Sequence, residues 1–188
     1  MRKENSLSSV KVLMLEGLVS GQVYVIKKCN WVPVKCRIFA WRAELDRIPI
    51  RQVLVKRSVA VEMDDCVLCG EEQETVDLFT ACSVSLRVWN QLSRRVKLPP
   101  IYAFSFRDLM EFYKVCGLGM KEKEVVHGLV ITWCIWKVRN DKAFSNGRGD
   151  SESIFGNSKA LGFLWLKCRS KHKNIVWKDW CKFPLYML

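Results

Sequence analysis

The stretch CVLCGEEQETVDLFTACSVSLRVWNQL, residues 66–92, joins two unlike patterns at Cys82. Beyond Cys82, apolar residues recur at Leu86, Trp89, Leu92 and Val96, the three- and four-residue spacing of one helix face. Ser83 and Ser85 are suited to cap that helix, and Pro99 and Pro100 stop it. Before Cys82 the chain is acidic and has no such period. A C-x-x-C turn points Cys66 and Cys69 at one centre, and Gly70 relieves the tight backbone behind it. Cys82 is well placed as a third thiolate, because loops of this length are common between zinc ligands. A tetrahedral site needs a fourth ligand, and no histidine lies between Cys66 and Cys82. The local substitutes are Asp77, Glu74 or a water molecule. Three thiolates with a carboxylate carry a formal charge of −2 around zinc, which weakens binding relative to a site with one imidazole. Three readings stay open: a zinc site with Asp77 as a poor fourth ligand, three thiols buried as small hydrophobes, or a site completed by a distant histidine or cysteine.

Working outward, WVPVKCRIFAWRAELDRIPI (31–50) places Val34, Ile38, Trp41 and Leu45 on one stripe. A helix is expected there, with Pro33 suited to its first turn and Pro49 beyond its end. IRQVLVKRS (50–58) gives a second, shorter helix. SFRDLMEFYKVC opens with Ser105 and Asp108 at capping-box spacing. A long helix is expected from about Lys121 to Phe144, with Val125, Leu129, Trp133 and Trp136 inward. SNGRGD (145–150) reads as a loop, a helix follows near 151–171, and NIVWKDWCKFPLYML is an aromatic tail. Within residues 1–30, VKVLMLEGL reads as a short helix and GQVYVI as a strand. The fold class is therefore mainly α, a small helical domain with a short irregular knuckle-like insertion at 61–82.

Charge is distributed unevenly. The chain carries +12 overall, yet residues 61–82 hold seven acids and no Lys or Arg. Residues 1–60 carry twelve basic side chains against four acids. A basic balance of this size favours acidic partners, nucleic acid before an anionic surface. Nine cysteines without a recognisable leader argue against a disulfide framework and for an intracellular, reducing compartment. The longest apolar run, GLVITWCIW (128–136), is about half the length a bilayer requires. No membrane partner is expected.

The order WVPVKCRIFAWRAELDRIPI, LVKRSV, CVLCGEEQETVDLFTACSVSLRVWNQL and WCIWKVRND resembles the zinc-binding region of plant LINE-type reverse transcriptases. In that family the region follows the polymerase of non-LTR retrotransposon polyproteins and precedes an RNase H-like domain. The resemblance divides the chain into an N-terminal segment (1–30), a zinc-binding domain (31–98) and a helical region (99–188). It implies zinc as cofactor, with Cys66, Cys69 and Cys82 as the family's cysteine ligands. The family's E-T-V-x-H-L-F stands here as ETVDLF (74–79), so the histidine is missing rather than replaced, and Asp77 is the nearest substitute.

No catalytic set accompanies these residues. Asp64 and Asp65 lie in an acidic loop, not after a polymerase strand, and no cysteine has an adjacent histidine. The expectation is a non-enzymatic, retrotransposon-derived accessory domain that binds RNA or DNA without sequence preference and takes no small-molecule substrate. Phosphate contacts are expected from Lys35, Arg37, Arg42, Arg47, Arg51, Lys56 and Arg57, with Arg94, Arg95 and Lys97 as a second cluster. The aromatic rings at 39, 41 and 89 are expected in the core. The alternative is a degenerate retroelement fragment without a present biochemical role, or a protein-interaction module.

Overall fold

The computed structural model describes residues 31–61, 63–71, 73–111, 121–145, 147–169 and 173–182. The helix and strand expected within 1–30 lie outside them. The described residues form helices α1 (Val34–Glu44), α2 (Arg51–Lys56), α3 (Ser83–Val96), α4 (Phe106–Glu111), α5 (Lys121–Ser145), α6 (Ser151–Arg169) and α7 (Trp177–Lys182), with one 3-10 turn, Val76–Phe79, in the insertion. There is no strand among them, only an isolated antiparallel bridge between Asp65 and Gln73. The class is mainly α, as the periodicity implies. None of these helices is long and apolar enough to cross a membrane.

Helix α1 has the expected bounds but a different inward face. Cys36, Phe39, Ala40 and Ala43 are buried, whereas Val34 and Leu45 are 54% and 38% exposed. The stripe of large residues misleads because small side chains let α1 approach α5 closely, and the one large ring, Phe39, fills the space that remains. Pro33 sits at the N-cap rather than in the first turn, and its carbonyl accepts the N–H groups of Cys36 and Arg37. Asp46, with φ of 53°, turns the chain out of the helix.

Helix α3 buries Trp89, Leu92 and Val96 as expected, but Leu86 is only half-buried, and Val84 and Val88 are buried instead. Its N-cap is Cys82, not a serine. Ser85 instead donates its hydroxyl to the Leu78 carbonyl at 2.7 Å, fastening the insertion to the helix. The capping box of α4 is formed as read: Asp108 accepts the Ser105 N–H at 2.9 Å, and Ser105 Oγ accepts the Asp108 N–H at 3.2 Å. At α6, Asp150 and Ser153 cap each other, and the Ser153 N–H holds the Asp150 carboxyl below its usual range. In α5 the buried face runs through Val130, Ile131, Cys134, Ile135, Trp136 and Arg139. Trp133 is only half-buried, and Val125 and Leu129 lie outside the described side chains.

One core joins residues from Val32 to Trp165, crossing residue 98 without a break. Phe39 is its hub. Its ring meets Phe79 and Phe106 edge-on at 5.9 and 6.3 Å, Trp133 at 5.5 Å, and stacks on Trp136 at 5.8 Å. Four elements are thus tied by one side chain from α1. A smaller cluster, Leu166, Ile175 and Trp180, seats α7 against α6.

Truncating the hub, Phe39→Ala, is expected to cost about 3–5 kcal/mol in urea-unfolding stability, since four rings lose their common partner. Cys36 and Cys134, each pushed up to about 12 chiefly by burial, should escape iodoacetamide at pH 8 in the native protein. The exposed Cys168 and Cys181 should be alkylated under the same conditions, as mass spectrometry would read.

Candidate metal centre

The insertion brings Cys66, Cys69 and Cys82 together. Their sulfur atoms all lie within 4.8 Å of one another. Local backbone rules explain why. The Gly70 N–H closes the Cys-x-x-Cys turn onto the Cys66 carbonyl at 2.7 Å, and Gly70 itself has φ of 73°, a conformation that suits glycine. Farther on, the Asp77 carbonyl accepts the N–H groups of Thr80, Ala81 and Cys82, which swings Cys82 back toward the turn. Cys82 then starts α3, where the backbone N–H groups of Ser85 and Val84 face its sulfur.

Cys66 donates its S–H to Cys82 at 3.7 Å. That hydrogen bond, and then burial, raise the Cys66 pKa; the same bond, helped by the helix amides, lowers that of Cys82. All described cysteines are free thiols. Three convergent sulfurs match three of the four positions that structural zinc requires, and the donor type is right.

The two carboxylates weighed as fourth ligand have different placements. Asp77 is exposed on the wall of the same cleft, where its Oδ2 accepts the Thr75 hydroxyl at 3.1 Å. It is not among the groups whose donor atoms converge. Glu74 is committed elsewhere. Its carboxylate is buried and forked by Arg139, whose Nε lies 3.0 and 3.2 Å from the two oxygens. Glu74 also accepts the backbone N–H of Arg51 at 3.0 Å and of Val67 at 3.2 Å. Arg139 completes its shell with Asn140 Oδ1 and with the face of Trp136, 5.1 Å from its guanidinium. A second cation of α5, Lys142, donates to the Leu68 carbonyl inside the Cys66–Cys69 turn at 2.9 Å.

Sequence reasoning missed Glu74–Arg139. The available signal was an arginine three residues after Trp136, on the apolar face of α5, together with one acid of the island that must leave water to meet it.

Comparison with known proteins converges on the same segment. Residues 21–89 match the family model for zinc-binding in reverse transcriptase. The match takes in all three cysteines and ends at Trp89, so Arg139 and Lys142, which fasten the site, lie beyond it. No curated protein and no solved structure matches the chain.

Of the basic residues singled out, Lys35, Arg42, Arg47, Lys56, Arg57, Arg94 and Lys97 are exposed. Arg37, Arg51 and Arg95 are half-buried. Arg51 donates to the Asp65 carbonyl at 2.6 Å and so braces the insertion. Arg95 donates to the Trp180 and Cys181 carbonyls and lies over the Trp180 ring, and burial lowers its pKa. Phe39 and Trp89 are in the core as expected, and Trp41 is half-buried.

Arg139→Ala should destabilise the fold by about 3–5 kcal/mol, because it strands a buried carboxylate. The double variant Glu74→Gln/Arg139→Met removes both charges and keeps an acceptor for one of the two backbone amides. It should recover more than half of that loss in chemical denaturation.

Proposed function

We propose that this chain is a non-catalytic nucleic-acid-binding accessory domain, derived from a plant LINE-type retrotransposon reverse transcriptase, in which the three cysteines form a structural zinc staple. The single observation that carries this reading is the convergence of Cys66, Cys69 and Cys82 within the segment matched to a zinc-binding region of reverse transcriptases. The +12 charge supplies the electrostatic side of the reading. In the proposed role the metal neutralises thiolate charge and ties the Cys66–Cys69 turn to the start of α3. Phosphate is met by exposed side chains away from the acidic cleft: Lys35, Arg42 and Arg47 on and after α1, Lys56 and Arg57 at the end of α2, and Arg94 and Lys97 at the end of α3. Such contacts are sequence-independent, so RNA and DNA are both suitable ligands. The free thiols suit a reducing, intracellular setting.

A second reading, a protein-interaction module, is favoured by Tyr102 and Phe104, 78% and 92% exposed in the loop before α4. Salt titration separates the two. Binding to a fluorescent oligonucleotide, followed by anisotropy across salt concentration, should give a log–log slope of about −3 or steeper if four or more phosphates are engaged. Lys56→Glu/Arg57→Glu should reduce the slope magnitude by about 2 without altering the unfolding midpoint greatly. A flat, weak response would remove the nucleic-acid reading and leave the interaction module.

A further inference from the structure

Helix α6 alternates rings and cations along one row of its surface. Phe155, Lys159, Phe163 and Lys167 follow one another at intervals of four residues, a step of about 6 Å along the axis. Neighbours in the row meet. The Lys159 ammonium lies 5.3 Å from the centre of the Phe155 ring, and that of Lys167 lies 5.4 Å from the centre of the Phe163 ring. Helix α7 adds Trp177, whose ring meets Phe163 edge-on at 5.2 Å and which is still 45% exposed. Charge is concentrated around that indole. Residues 159–182 hold seven Lys or Arg and one acid, Asp179, which is half-buried. Lys167, Arg169, Lys173, Lys178 and Lys182 are exposed. The acid on α6, Glu152, stands in its first turn, at the end away from α7. All of these residues lie beyond residue 89, where the family match ends.

We infer, on the basis of the nucleic-acid reading above, that the α6–α7 face binds single-stranded nucleic acid, with Trp177 stacking on an unpaired base and Lys167, Arg169, Lys173 and Lys178 meeting phosphates. An unpaired base offers the flat π-face that an exposed indole matches, whereas a duplex presents chiefly its phosphates. Rings set among cations fit a ligand in which bases and phosphates alternate. An anionic membrane would also answer the charge, but a helix lying on one needs a continuous apolar face to insert. In α6 that face, with Ile154, Trp165 and Leu166, is buried against the rest of the protein. What stays outside, Leu164, Val176 and Trp177, is too little to seat a helix among acyl chains.

The full-length chain should be titrated against a fluorescent oligothymidylate and against a duplex of equal length, with anisotropy as the readout. Trp177→Ala should weaken single-strand binding about fivefold or more and leave duplex binding unchanged. Trp177→Phe should keep most of the single-strand affinity, and an unchanged circular dichroism spectrum would show that the alanine variant lost a ring and not its fold. Lys167→Gln/Lys178→Gln should reduce the log–log salt slope on the single strand by about 1.4. Wild-type affinity in all three variants, alongside a loss in Lys56→Glu/Arg57→Glu, would overturn this site and leave the proposed function standing. Failure of the unaltered chain to bind either oligonucleotide would overturn both. Equal loss on single strand and duplex in Trp177→Ala would overturn the stacking role. Binding to phosphatidylserine vesicles that Trp177→Ala abolishes, with oligonucleotide binding intact, would give the face to a membrane surface instead.

Discussion

The buried ion pair between Glu74 and Arg139 is the interaction on which the insertion depends. Residues 61–82 are too short a segment, and carry too much like charge, to fold by themselves. They are held because cations from two helices reach into them: Arg139 and Lys142 from α5, and Arg51 from α2. Leu78 and Phe79 then fill the space beside α1 and α3, and Trp89 donates its indole N–H to the Phe79 carbonyl at 2.8 Å. Burial of Glu74 would be unfavourable for an isolated carboxylate. It is tolerated here because five N–H contacts from Arg139, Arg51 and Val67 converge on its two oxygens. The segregation of acids in a basic chain is therefore partly a folding device, with Glu74 neutralised in the interior and Asp64, Glu71 and Asp77 left in water.

That arrangement has a consequence for the thiols. The Cys66–Cys69 turn is fixed by Gly70, by Lys142 on Leu68 and by Glu74 on Val67, none of which involves sulfur. Cys82 is fixed by the Asp77 carbonyl and by its place at the head of α3. The three sulfurs converge through backbone geometry, so an incoming metal finds its ligands already oriented and loses little conformational freedom in binding. This favours a metal site built on the three thiols, since preorganisation lowers the entropy lost in binding.

Helix positions were legible because their signals are local: Pro33 before α1, the Ser105–Asp108 box at α4, and the recurrence of Trp89, Leu92 and Val96 in α3. The cysteine trio was legible for the same reason, its spacing being a short-range constraint. The inward face of α1 was not, because close helix contact prefers Cys36, Ala40 and Ala43, which a count of large hydrophobes passes over. The roles of Glu74, Arg51 and Arg95 were hidden for a different reason. Each is a charged residue in a charged neighbourhood, and only a partner 14 to 86 residues away distinguishes a structural side chain from a solvated one.

The proposed metal and nucleic-acid roles meet at α2. This six-residue helix buries none of its side chains fully, so packing alone gives it little hold. Its N-terminus is seated on the insertion, with the Arg51 N–H on the Glu74 carboxylate and the Gln52 N–H on the Glu74 carbonyl at 3.3 Å. A buried negative charge at that end also complements the helix dipole. The other end carries Lys56 and Arg57 into solvent. Under the proposed function, the insertion therefore sets the direction in which α2 presents its cations, while its own acids keep phosphate away from the thiols. A staple through Cys66, Cys69 and Cys82 would act on nucleic-acid contact indirectly, by holding the platform on which that short basic helix stands.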